Sequence, residues 1–184
     1  MAETNDKQAL LVMDVQPGIV ARIPDGDAYL ERVRKTLEAA RKAGTFTIQV
    51  VVGFRPGAPE VSPNNQSFAA IKKNADMKMT NPEPSLGAEA GDVVVTKRRV
   101  SAFTGSDLEV VLRGQETRRL VLCGIATSGV VLSTVREAAD KDYKLTVLSD
   151  LCVDFDEEVH DVLTKKVFPR QAQVTMAAEW LKTL

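Results

Sequence analysis

Short apolar runs alternate with segments of helical period along most of the chain. Residues 9–15 (ALLVMDV) form a continuous apolar run that meets a carboxylate near its end, the pattern of a parallel strand covered on both faces. Over residues 29–43, Leu30, Val33, Leu37 and Ala40 recur on one face at helical spacing, and Gly44 follows as a C-cap. Residues 45–52 (TFTIQVVV) are rich in β-branched side chains and predict a second strand. The runs 92–97 (DVVVTK), 119–124 (RLVLCG), 144–149 (KLTVLS) and 172–176 continue the series to six strands. Helices are predicted at 106–113, opened by a capping box of Ser106 and Glu109, and at 128–142, with Val131, Val135 and Ala138 or Ala139 inward. Two more follow, at 156–168, stopped by Pro169, and at 177–182. Strands alternating with helices predict an α/β fold of a single domain. It is a doubly wound, parallel, six-stranded sheet with helices on both faces.

One stretch breaks the alternation. Residues 54–91 hold five of the eight prolines, Pro56, Pro59, Pro63, Pro82 and Pro84, with a short helix expected near residues 68–74. A long excursion beside a rigid sheet suits a lid or a substrate wall, although an exposed excursion without a role has the same composition.

In a doubly wound sheet, ligands bind beyond the carboxyl ends of the strands, where strand order reverses. That rule selects Asp14, the 53–56 turn, Lys97 and residues 124–130. Asp14 closes an apolar strand, so its carboxylate either pairs with a cation or has its pKa raised; an aspartate there also suits a turn cap. Lys97 closes the third strand in the same way. Beside a carboxylate it would hold both charges and position a proton; alone it reads as a snorkelling lysine ahead of Arg98 and Arg99. Residues 124–130 (GIATSGV) lead from a strand end to a helix N-terminus, where backbone N–H groups suit an anion or a developing oxyanion. In an ordinary turn of this kind, Thr127 or Ser128 would be the N-cap. Arg55 offers a fork for a carboxylate and reads equally as a surface arginine in a proline turn.

Composition narrows the chemistry. The chain has 184 residues, 24 basic and 25 acidic, a balance that gives no electrostatic case for nucleic acid or an anionic membrane. No GxGxxG or P-loop lysine is present, so no nucleotide cofactor is expected. The single histidine, His160, excludes sites that need two imidazoles and reads as a surface or interface residue. Of the two cysteines, Cys123 lies inside an apolar strand and reads as structural, while Cys152 follows the fifth strand, nearer the rim. Sparse cysteine and a polar start (MAETNDKQ) without an apolar signal region point to a cytoplasmic protein.

Taken together, these segments resemble the isochorismatase-like hydrolase superfamily, which includes nicotinamidases, carbamoylsarcosine amidases and isochorismatases. LLVMDVQ is similar to the family's first strand and its aspartate, VVVTKRRVSAFTGSDLEVVLR to its lysine segment, and GIATSGVVLSTVREAADKDY to its nucleophile turn and helix. LSDLCVDFDEEVH and VFPRQAQV resemble the closing segments. The resemblance implies a Rossmann-like three-layer fold, a small-molecule substrate and a homodimer or homotetramer. It assigns the family's aspartate and lysine roles to Asp14 and Lys97. It implies a cis peptide at Ile125–Ala126, oxyanion donors at the backbone of Ala126 and Val130, and substrate-binding roles for Gln16, Arg55, Phe103 and Thr127.

The departure from the family pattern is specific. Gly-x-x-Thr-x-x-Cys becomes Gly124, Thr127 and Val130, and valine cannot form a thioester. The nicotinamidase metal ligands after the second strand are also missing, because residues 53–57 read GFRPG; neither metal nor cofactor is expected. The expected activity is therefore hydrolysis of an amide, carbamate or vinyl ether without a cysteine nucleophile, with Asp14 and Lys97 promoting water attack or protonation. A binding protein that kept the pocket and lost the chemistry is the alternative, and Ser128 is a weaker candidate nucleophile.

Overall fold

The computed structural model describes residues 7–73 and 82–184. Six strands, β1 (Gln8–Met13), β2 (Phe46–Val52), β3 (Val93–Lys97), β4 (Arg119–Ile125), β5 (Lys144–Val153) and β6 (Gln173–Thr175), form one sheet in the order β3-β2-β1-β4-β5-β6. All pairings are parallel. Ala9, Leu10 and Leu11 of the inner strand β1 are all fully buried, so side chains of both parities meet helices, as an uninterrupted apolar run requires. The order reverses between β1 and β4, and the carboxyl ends of these two strands define the crevice.

The helices are α1 (Pro17–Val20), α2 (Gly26–Lys42), α3 (Gln66–Lys73), α4 (Leu108–Gly114), α5 (Leu132–Asp140), α6 (Glu157–Val162) and α7 (Ala177–Leu181). Helix α2 buries Tyr29, Val33, Thr36, Leu37 and Ala40, and the Tyr29 hydroxyl donates to the Leu151 carbonyl at 3.1 Å. At the far end of α2, Arg41 donates to both carboxylate oxygens of Asp92, which also accepts from the Thr47 hydroxyl and the Glu89 amide. Burial pushes the Asp92 acid up, but these hydrogen bonds outweigh it and hold the carboxyl below its ordinary range.

Several local expectations change. Helix α1 is additional, begun by Pro17 at its first position. Helix α2 starts at Gly26 rather than residue 29, behind a left-handed Asp25. The capping box at 106–109 does not form. Ser106 Oγ accepts from the Leu108 amide, but Glu109 is drawn away by Arg113 and Lys141, both at hydrogen-bond distance. Strand β5 runs on to Val153 because a register shift between Leu122 and Gly124 lets pairing resume, which places Cys152 inside the strand and buries it. Pro169 does not simply stop the helix at 156–168: α6 passes through a wide turn (Leu163–Val167) into a 3-10 turn (Phe168–Arg170) that carries the proline.

In the proline-rich stretch, α3 covers the expected helix except residue 74, which with 75–81 lies outside the described residues. The stretch has a small core of its own: Val52, Phe54, Val61 and Phe68 are buried together, with the Phe54 and Phe68 rings edge to face at 5.4 Å. Its returning arm is tied beside the crevice, the Ser85 amide donating to the Val15 carbonyl at 2.8 Å.

Candidate active site

Strand β1 gives out at Met13, and the next residue turns out of the sheet. Asp14 has φ 57°, a left-handed conformation that aspartate tolerates better than most side chains, and its amide donates to the Val50 carbonyl at 2.8 Å. Lys97, at the end of β3, reaches past the end of β2 and sets Nζ 2.9 Å from Asp14 Oδ2. The ammonium also donates to the Arg99 carbonyl at 2.9 Å. Asp14 is 6% exposed and Lys97 2%, so the pair is out of water. The other carboxylate oxygen, Asp14 Oδ1, is buried and has no hydrogen-bond partner among the described residues. Burial lifts the Asp14 acid to about 6, against the pull of Lys97 in the opposite direction.

The wall opposite comes from β4. The register Met13↔Gly124 sets Asp14 beside Ile125. A Cβ on Gly124, which has φ 143°, would lie 2.0 Å from the Met13 carbonyl oxygen, so only glycine permits this approach. The Ile125–Ala126 peptide is cis. A wide turn (Thr127–Val131) then leads into α5, with Gly129 at φ −94°, ψ −105° inside it. Val130 is buried at 2% exposure. Neither Thr127 nor Ser128 caps the helix with its own side chain, because the cap position falls on Ala126. The cap comes instead from the end of the neighbouring strand β5, where Asp154 Oδ2 accepts from the Ser128 amide at 2.6 Å.

The remaining selected residues divide. Gln16 is buried and clasps the end of β2, donating to the Val52 carbonyl at 3.1 Å and accepting from its amide at 2.8 Å. Thr127 is fully buried, with Oγ1 2.9 Å from His160 Nδ1. Arg55 is exposed and paired with Glu60 at 3.3 Å. It lines a separate groove with Arg98, Arg99 and Thr104. Phe103 is buried with its ring 6.0 Å from Tyr143 and 5.6 Å from the Lys141 ammonium. Cys123 is fully buried with its thiol directed to the Leu11 carbonyl, and Cys152 is buried with its thiol pushed up to about 12, chiefly by desolvation; neither offers a thiolate. His160 is half-buried and bonded to the turn rather than free at the surface, and together with Asp154 it is the part of the site that sequence reasoning missed. No periodicity links these two residues to a turn 26 to 33 positions earlier.

A profile of the isochorismatase domain matches residues 8–179. The chain belongs to the isochorismatase family. Among its family relatives is the uncharacterized isochorismatase family protein YwoC of Bacillus subtilis (strain 168), 34% identical over 178 residues, covering 96% of this chain and 93% of that one. The ureidoacrylate amidohydrolase RutB of Azorhizobium caulinodans is 30% identical over 174 residues, 79% of this chain and 75% of its own. In three dimensions this isochorismatase-family chain is similar to an isochorismatase family protein from Burkholderia thailandensis, with a TM-score of 0.78 and 31% identity over 96% of this chain and 94% of the other. Among the described residues of this family member, no helix is long and apolar enough to cross a membrane.

Proposed function

We propose that this chain hydrolyses a small amide or ureido compound with water as the nucleophile and Asp14 as the general base. The observation that carries the reading is the divided Asp14 carboxylate. Oδ2 is held by Lys97, while Oδ1 is out of water and has no donor among the described residues. A buried, unpartnered acceptor takes an O–H or N–H strongly, and an attacking water supplies one. With its acid near 6, Asp14 is mostly ionised at neutral pH, close to the value that suits a base. Protonation of a vinyl ether would need the minority acid form, so water attack on a carbonyl is favoured over it. The ureidoacrylate amidohydrolase among the relatives supports a carbonyl substrate of this class.

In this scheme Asp14 takes a proton from water as the oxygen bonds to the carbonyl carbon. The amides of Ala126 and Val130 receive the oxyanion, and Asp14 returns its proton to the departing nitrogen as the C–N bond breaks. Lys97 keeps Asp14 ionised and placed. The Val130 side chain supplies only methyl groups and cannot form a covalent intermediate. The fully buried Thr127 and the exposed Ser128 have no place in the attack. Gln16 shapes the rim, while substrate contacts by Arg55 and Phe103 would need groups now turned to Glu60 and Tyr143. On this reading the protein works in the cytoplasm as a homodimer or homotetramer. Exposed Phe155, Val159 and Val162, on and just before α6, supply apolar surface for association.

Val130 also favours a second reading, a binding protein with the pocket and no chemistry. A panel of small amides, ureido acids, carbamates and vinyl ethers tests both. Turnover by the natural chain that falls at least about 100-fold in Asp14→Asn supports the hydrolase. Turnover untouched by that substitution overturns the mechanism. No turnover by the natural chain, with amidase activity or iodoacetamide labelling gained in Val130→Cys, supports the binding reading instead.

A further inference from the structure

Two side chains from one neighbouring segment hold the turn that faces Asp14. Asp154, just beyond β5, accepts from the Ser128 amide at 2.6 Å, and His160 on α6 sets Nδ1 2.9 Å from the Thr127 hydroxyl. The turn is closed by wide bonding, the Leu132 amide reaching back to the Thr127 and Gly129 carbonyls, rather than by regular helical bonds. The amides of Gly129 and Val131 both converge on the Ala126 carbonyl, at 3.1 and 3.3 Å, and Gly129 departs from helical torsions. Regular i→i−4 bonding, which would make the first turn of a helix rigid, does not begin until α5. Thr127 stands directly between the cis peptide and the residues that lead to Val130, and it has no exposed surface. Its hydroxyl is therefore held from outside the turn, by an imidazole 33 residues away in sequence.

We infer that His160 is a positioning residue of the crevice: by holding the Thr127 hydroxyl it fixes residues 126–130 against Asp14. The catalytic part of this inference rests on the hydrolase reading above; the positional part does not. Asp154 anchors one backbone amide, whereas His160 anchors a side chain inside the turn, and the two bonds together leave the segment little freedom to rotate. A reacting group displaced by an ångström can lose orders of magnitude in rate, so a single buried bond at this place has leverage beyond its own strength.

The test separates position from catalysis. The amide signals of Ala126 and Val130 in a ¹⁵N–¹H spectrum are expected to shift in His160→Ala and in Thr127→Val, and to return toward their natural places in His160→Asn. The asparagine carboxamide can reach the position of Nδ1. Because the chain has one histidine, the imidazole nitrogens give one unambiguous pair of signals, and the Nδ1 signal is expected to move in Thr127→Val. With a substrate from the panel, His160→Ala is expected to lower kcat about tenfold or more with KM within twofold, and His160→Asn to recover most of it. The double variant is expected to be no worse than either single one. Unchanged Ala126 and Val130 amides in His160→Ala overturn the inference whether or not a substrate is found. So does a kcat within twofold of natural, or an asparagine variant no better than alanine. Shifted amides with no turnover by the natural chain uphold the positional inference and count against the hydrolase reading alone.

Discussion

Lys97→Met removes the cation from a buried pair, and the structure sets how its effect varies with pH. In the folded chain Asp14 titrates near 6 instead of the ordinary 3.8, mainly because it is buried. Its folded pKa is raised, so the associated stability is fully present below 3.8 and is lost as pH rises through about 6. Above that, ionised Asp14 costs about 3 kcal/mol. Lys97 limits this cost: at 2.9 Å, an effective dielectric near 20 gives an attraction of about 6 kcal/mol. Without it the acid rises beyond the neutral range and stays protonated in the folded state. At pH 7 the cost then becomes about 4.4 kcal/mol, so the variant loses about 1.4 kcal/mol more than the natural chain on this account. At pH 8 the extra loss is about 2.7 kcal/mol, and at pH 5, where both forms are largely protonated, it is under about 0.2 kcal/mol. Loss of the Arg99 carbonyl contact adds a term that does not vary with pH. Urea unfolding of both proteins at pH 5, 6, 7 and 8 measures the difference directly. A destabilisation that is the same at pH 5 and pH 8 would refute the coupling of Lys97 to Asp14.

Other contacts in the fold carry further expectations. Gly124→Ala would place a Cβ 2.0 Å from the Met13 carbonyl at a positive φ and is expected to cost at least about 3 kcal/mol in denaturant unfolding. Asp92→Asn is expected to cost about 2–4 kcal/mol at pH 7. The gap to the natural chain should close as pH falls through the lowered titration of Asp92, since a depressed carboxyl stabilises only while it is ionised. Stability of this variant that runs parallel to the natural chain down to pH 2 would contradict the account.

The sheet was legible because parallel strands covered on both faces leave uninterrupted apolar runs, and β1 and β4 are such runs, while β2 is rich in β-branched side chains. The pair of Asp14 and Lys97 was legible for a related reason: each interrupts such a run at its carboxyl end, where topology directs ligands. What escaped depends on competition or on distance. The residues at 106–109 have a capping-box pattern, yet two cations outbid the backbone for Glu109. Strand β5 outran its apolar run because a shift in pairing, invisible in composition, carried it on through Asp150. His160 reads as a surface residue on an amphipathic helix. Only the packing of α6 against the turn gives it a partner, and neither residue's local pattern contains that information.

Gln16 shows how a strand can abandon its neighbour without leaving a gap. Beyond Asp14, whose amide still donates to Val50, this chain segment no longer pairs with β2 through its backbone, and the N–H and C=O of Val52 are met by one carboxamide that donates and accepts at once. The side chain serves as a prosthetic rung. Glutamate would keep the acceptor and lose the donor, leucine would lose both, and asparagine would be a methylene short. The position is thus bound to a single residue type by geometry, even though it need never touch a substrate. Side chains that face the crevice can change while this rung holds the strand ends in place, so the chemistry of the crevice can be exchanged more freely than the joinery around it.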